Sequence, residues 1–224
     1  CNTTGCYNIA LGVTALVHNT TGSNNVALGP SALQNVKGND NIALGYNALL
    51  GDPTTAIGSN NIALGYEALK HNTTGTYNVA LGNDALQDNT TGASNIALGV
   101  QSLHSNKTGC NNVALGQSAL YQNTTGSANV ALGPDALQNN TTGSSNVAMG
   151  WNAMGVGINT GSSNVALGAA ALSSNTSGCN NIALGQNALQ DNTSGCNNIA
   201  LGSEAMVGVA GCSNVFAVNN SGAT

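Results

Sequence analysis

The sequence predicts an all-β fold, a parallel β-solenoid of about 13 coils of ~17 residues with two short strands per coil, and three observations support it. First, a block Asn-Ile/Val-Ala-Leu-Gly, once ending in Met-Gly, begins at Asn8, Asn25, Asn41, Asn61, Asn78, Asn95, Asn112, Asn129, Asn146, Asn164, Asn181 and Asn198, and a degenerate copy, NVFAV, begins at Asn214. Successive blocks begin 17, 16, 20, 17, 17, 17, 17, 17, 18, 17, 17 and 16 positions apart. A short, nearly fixed period means one structural unit stacked on copies of itself, each touching only its neighbours. Second, a glycine precedes all thirteen blocks by three residues and another closes the first twelve, so two columns hold 25 of the 30 glycines. Such invariance marks a backbone position that a Cβ would spoil, most simply a turn residue with φ > 0. Third, a polar turn sequence, NTTG or a variant, follows the apolar segment in most periods.

The elements follow from the consensus N-[IV]-A-L-G-x-x-A-L-x-x-N-T-T-G-x-x, with the block Asn as position one. Positions two to four, as in Val113-Ala114-Leu115, are apolar and partly β-branched and read as a strand that the glycine ends. Positions eight and nine, as in Ala119-Leu120, read as a second short strand, and Asn123-Thr124-Thr125-Gly126 as the turn back. Ala and Leu also favour helices. Segments of at most about ten residues between glycines are too short for one. Coils stacked at about 4.8 Å give a rod on the order of 58 Å long. Residues 1–224 are expected to form a single repetitive β-solenoid domain, with an irregular coil near residues 50–59 bulging from the rod and a degenerate final coil over residues 212–224.

The column of block asparagines reads as a structural ladder, each amide bonding the next or a turn backbone group. Side chains alternate across a strand, and positions two to four are all apolar. Apolar residues on both faces imply that the outer face is buried as well, the small Ala allowing close approach. Copies of the same chain are the simplest cover, and a trimer is one closed arrangement.

Composition narrows the function. Charged residues are 5% of the chain, there is no Arg, and the net charge is −5. With Lys only at 37, 70 and 107, neither nucleic acid nor an anionic membrane surface is an expected partner. No apolar run reaches the roughly 18 residues of a membrane span. Low charge, abundant Asn, Thr, Ser and Gly, and six Cys point to an extracellular location.

The N-x-A-x-G block followed by a second Ala-centred half resembles the head of trimeric autotransporter adhesins. The fuller phrase NTTGxxNxALGxxAL resembles still more closely the repeat arrays of phage-type tail fibre domain proteins. The resemblance covers nearly the whole chain. It implies a β-roll of short coils, three chains side by side, and a role in surface display. Residues 1–224 show no pattern of a heptad stalk, a membrane-anchor barrel, a self-cleaving chaperone domain or a distinct receptor-binding tip, so the resemblance is carried over only to fold and surface display.

Five of the six cysteines, Cys6, Cys110, Cys179, Cys196 and Cys212, stand two residues before a block Asn, where other coils carry small residues, mostly Ser. Neighbouring coils lie within disulfide range. The column therefore reads either as a disulfide column or as small residues interchangeable with Ser. Ten residues follow Asn214 and the first block Asn is the eighth residue, so a second copy placed after Thr224 continues the array with an 18-residue step. Head-to-tail stacking locked by a Cys212–Cys6 disulfide is one expectation; a segment of a longer array is the competing one.

No enzyme motif appears, and no metal or cofactor is expected. His18, His71 and His104 fall on variable columns and read as solvated. Four of the eight acids, Glu67, Asp84, Asp135 and Glu204, occupy variable position seven, and no loop gathers the ligands calcium needs. NT[TS] at Asn2, Asn19, Asn72, Asn89, Asn123, Asn140, Asn175 and Asn192 is formally a glycosylation acceptor but reads better as turn chemistry. The aromatics Tyr7, Tyr46, Tyr66, Tyr77, Tyr121 and Trp151 are the best candidates for glycan contact. The expected function is a structural subunit or shaft of an extracellular fibre that self-assembles. The alternative is an adhesin head or tail-fibre module that binds a cell-surface glycan or receptor.

Overall fold

A computed structural model describes residues 3–35, 37–52 and 58–219. The described residues contain no helix and thirteen three-residue strands, arranged as a parallel β-solenoid with about 17 residues per turn. The chain divides into two compact units, Cys1–Asn112 and Val113–Thr224. In the first, β1 (Ile9–Leu11), β2 (Val26–Leu28), β3 (Ile42–Leu44), β4 (Ile62–Leu64), β5 (Val79–Leu81) and β6 (Ile96–Leu98) pair in sequence order. In the second, β7 (Val113–Leu115), β8 (Val130–Leu132), β9 (Val147–Met149), β10 (Val165–Leu167), β11 (Ile182–Leu184), β12 (Ile199–Leu201) and β13 (Phe216–Val218) do the same. Every one of these pairs is parallel and stacks its middle Ala on Ala, as Ala80 on Ala97 and Ala166 on Ala183.

Among the described residues there is one strand per coil, not two. The Ala-Leu segment at positions eight and nine is a run of tight turns. In the coil after β7, Ala119 N–H donates to Gly116 O, Tyr121 N–H to Ser118 O and Asn123 N–H to Leu120 O. The residues at positions seven and nine are left-handed, Ser118 at φ 55° and Leu120 at φ 55°. So short a coil must close on itself, and alternating left-handed residues turn the chain where a second extended segment would run past the core. A non-Gly residue in this region costs about 1–2 kcal/mol. The position-nine side chain offsets that cost, since Leu33, Leu69, Leu120 and their equivalents are wholly buried, a gain of about 1.5–3 kcal/mol each.

The structure also settles which face of the strand is inside, a choice the alternation leaves open. The middle Ala points inward and is fully buried from β2 to β12, while Ile or Val at position two and Leu at position four face outward and keep part of their surface in solvent. The interior of each coil is narrow. Two columns of Ala, one of Leu and two of Asn fill it, and a larger residue at position three would not fit.

That constraint also moves the last coil by one residue. β13 is Phe216–Val218, and Ala217 pairs with Ala200. Val215, not Asn214, takes the ladder position, and its N–H donates to Asn198 Oδ1 at 3.0 Å. Asn214 stands in the left-handed column just before it, at φ 61°. Keeping Asn214 in the ladder would shift the strand by one residue, exchange its faces, and drive Phe216 into the Ala column.

Two coils are longer than the rest. β3 and β4 keep full register across a 20-residue step, with Ala43 on Ala63, and Gly51 N–H donates to Lys70 O at 2.9 Å. Of the bulge expected over residues 50–59, positions 53–57 lie outside the described residues. The 18-residue coil after β9 places its extra length at Val156 and Ile158, both well exposed, and Asn159 bridges Asn140.

Candidate functional site

Two asparagine ladders run through the interior. In the first, each block Asn accepts the backbone N–H of its successor: Asn25 N–H bonds Asn8 Oδ1 at 2.9 Å, and the step repeats through Asn41, Asn61, Asn78, Asn95 and Asn112. In the second unit Asn146 bonds Asn129, and Asn164, Asn181 and Asn198 follow, each at 3.0 Å. Nδ2 donates to a turn glycine, as from Asn95 to Gly109 O at 2.9 Å. Among the described residues Asn41 Nδ2 is buried without a partner. Asn214 does not belong to the ladder, and Asn8, in the first coil, is only partly covered.

The sequence marks the second ladder only as turns. The Asn of NTTG is buried in Asn72, Asn89, Asn106, Asn123, Asn140, Asn159, Asn175 and Asn192. Asn89 Nδ2 donates to Asn72 Oδ1 at 2.8 Å and to Gly92 O at 2.9 Å, and Asn140, Asn159, Asn175 and Asn192 repeat the first bond. The amide nitrogen that a glycan would occupy is therefore engaged inside the coil; Asn2 lies outside the described residues. The signal was in the sequence as an Asn at position twelve of eight of the twelve coils.

The ladders also explain the glycines. Those that close the strands have φ between 109° and 144°, as expected. Those before the block, from Gly22 to Gly195, do not have positive φ. A Cβ on Gly92 would overlap the Gly109 carbonyl oxygen and the Asn89 amide oxygen, so close approach of the next coil keeps this column bare.

Column sixteen holds most of the cysteines. Its side chains accept the backbone N–H of the preceding coil's residue, whether hydroxyl or thiol: Cys6 N–H to Ser23 Oγ at 3.0 Å, Ala93 N–H to Cys110 Sγ at 3.4 Å, Cys179 N–H to Cys196 Sγ at 3.1 Å. Cys212 is not in it. The one-residue shift puts Ser213 there, accepting from Cys196 N–H at 2.9 Å, and sends Cys212 to the glycine column, where its carbonyl takes Asn198 Nδ2 at 2.6 Å. The premise that Cys212 and Cys6 share a column fails with it.

Outside, three surfaces stand out. The strand face presents Ile/Val and Leu in two parallel columns, with Ile42, Ile96, Leu115, Met149 and Ile182 each more than a third exposed. At position six of neighbouring coils, Tyr46 and Tyr66 stack with ring centroids 5.5 Å apart and planes 15° apart, both about half exposed. Trp151 is likewise exposed, as are Tyr7 and Tyr77 at column seventeen.

The third surface is a charged edge in the first unit. Glu67 pairs with Lys70 at 3.0 Å and accepts from Asn47 and Gln87. Burial alone would raise its carboxyl; the Lys70 and Asn47 hydrogen bonds outweigh burial and hold it below its ordinary value. Glu67 in turn pushes the Tyr66 phenol up. His71 Nδ1 lies 2.8 Å from Asp88, and Lys107 lies 3.0 Å from the other Asp88 oxygen. Burial alone would raise the Asp88 carboxyl too; its hydrogen bonds to His71 and Lys107 together outweigh burial and lower it. Beside them, Gly51, Asp52, His71, Thr73 and Thr90 line a cavity of about 390 Å³. His18 meets Asn35 and His104 meets Ser105. Among the described residues no three His, Cys, Asp or Glu cluster as metal ligands, and no helix is long and apolar enough to cross a membrane.

These features define a repeat protein of the β-solenoid class. No family model matches the sequence, and no curated protein shows significant similarity to it.

Proposed function

We propose that the chain is a non-catalytic structural subunit or shaft of an extracellular fibre, self-assembling through coil stacking and lateral packing. The observation that carries this reading is the outer strand face. The core is complete without the Ile/Val and Leu columns, yet they remain apolar in coil after coil, and contiguous apolar surface of this kind marks an interaction site. A second copy supplies the matching columns at the same repeat of about 4.8 Å. Light scattering and electron microscopy of the full chain test it. Oligomers or filaments are expected, and Ile42→Ser, Ile96→Ser and Ile182→Ser together shift the mass toward monomer. Monomers alone at every concentration, with no filaments, overturn it.

One observation favours a second reading, an adhesin or tail-fibre module for a surface glycan. The exposed, stacked Tyr46 and Tyr66 offer flat faces beside polar side chains, an arrangement suited to sugar rings. Binding to immobilised polysaccharide that Tyr66→Ala abolishes supports this reading; uniform filaments with no such binding reject it.

A further inference from the structure

We propose that Cys179 and Cys196 are a redox site, two thiols on neighbouring coils of the second unit that close an intrachain disulfide when they meet a small-molecule disulfide of the glutathione class. The inference stands apart from any assembly role. β11 and β12 pair in register, Ile182 on Ile199, so the residues three places earlier are also opposed. Two bonds hold them there: Cys179 N–H donates to Cys196 Sγ at 3.1 Å, and Asn197 N–H donates to Cys179 O at 3.0 Å. One coil step, about 4.8 Å, lies inside the range of roughly 4.4–6.8 Å for Cα separations in disulfides. The Cys196 sulfur already lies against the Cys179 backbone, 3.1 Å from its nitrogen, and both residues keep partial access to solvent.

No other described cysteine has this neighbour. Cys6 faces Ser23, Cys110 faces Ala93, and Cys212 stands in the glycine column while Ser213 faces Cys196. Oxidation here is thiol–disulfide exchange. One cysteine, as thiolate, attacks a sulfur of the oxidant and releases one small thiol. The other then displaces the small thiol left in the mixed disulfide. The protein loses two protons and two electrons, the oxidant becomes two thiols, and each leaving thiolate takes up a proton that a cysteine gave up.

The full chain is incubated with oxidised glutathione, alkylated, unfolded and cleaved before aspartate. The cut before Asp191 separates Cys179 from Cys196. The expected result is that the peptides on either side remain joined, two hydrogens lighter than their reduced sum, in the wild type and in Cys212→Ser. They separate in Cys179→Ser and Cys196→Ser, while Cys6 and Cys110 are alkylated throughout. Serine occupies this column in other coils, so these variants retain the N–H acceptor. The closure rate from the mixed disulfide is expected not to depend on protein concentration, a readout that needs no variant. Full alkylation of Cys179, a link that persists in Cys196→Ser, or a closure rate that rises with protein concentration overturns the proposal.

Discussion

The two units bury the same kinds of residue and differ outside. Cys1–Asn112 carries all three Lys, all three His and five of the eight acids, a formal charge of −2; Val113–Thr224 carries only Asp135, Asp191 and Glu204, −3, and no cation. The described ion pairs and the stacked tyrosines lie in the first unit. Inside, the same Ala, Leu and Asn columns are buried in both. The comparison separates what specifies the coil from what decorates it: the inner columns repeat because each must match the coil above and below, and the outer ones are free to vary.

The largest test of that equivalence is to empty one core position in each unit. Leu86→Ala and Leu172→Ala are each expected to cost about 2–5 kcal/mol, read as local loss of amide protection by hydrogen exchange, because stacked coils need not unfold as one. Losses that differ widely between the two would break the claim of a common interior. Next come Asn95→Ala and Asn181→Ala. Each strips the acceptor from a buried N–H, of Asn112 or Asn198, and the donor from a glycine carbonyl, Gly109 or Gly195, costing about 1–3 kcal/mol per orphaned group. Faster exchange should centre on those amides, equally in both units.

Acid should then divide the units. Glu67 and Asp88 titrate lower in the folded chain than ordinary carboxyls. Their contribution is complete above the ordinary range near pH ~4 and is lost as pH falls through the depressed folded values. Exchange measured down through that range should show coils around Glu67 and Asp88 loosening before those of the second unit; simultaneous loosening would refute the charged edge as a stabilising feature. The smallest effect is expected from Lys107→Gln, at most ~1 kcal/mol and suppressed by salt, since both partners keep part of their surface in solvent.

The fold class was legible because repetition turns weak local signals into columns. The inner geometry was not, because alternation says which residues share a face and not which face is inside. Ala97 alone could lie on either; only the narrowness of a one-strand coil sends it inward. The turn at Ser118–Leu120 was hidden because Leu is a poor sign of a left-handed residue, whereas Asn, Asp and Ser at positions seven and seventeen were a sign left unread. The final register misled because Asn214 matches the motif, while the volume of Phe216 decides the alignment. The charged edge joins residues from four coils, and its contacts depend on side-chain reach that spacing does not supply.

The ladders have a mechanical consequence. Their bonds, from Asn to Asn and from backbone to backbone, point from one coil to the next, so a pull applied along the stacking direction loads one interface at a time instead of shearing many at once. Each coil that peels away releases about 17 residues and roughly 50 Å of slack. Under tension such a stack behaves as a reel that yields length in nearly equal instalments, and its extension is set by how many coils have been let out.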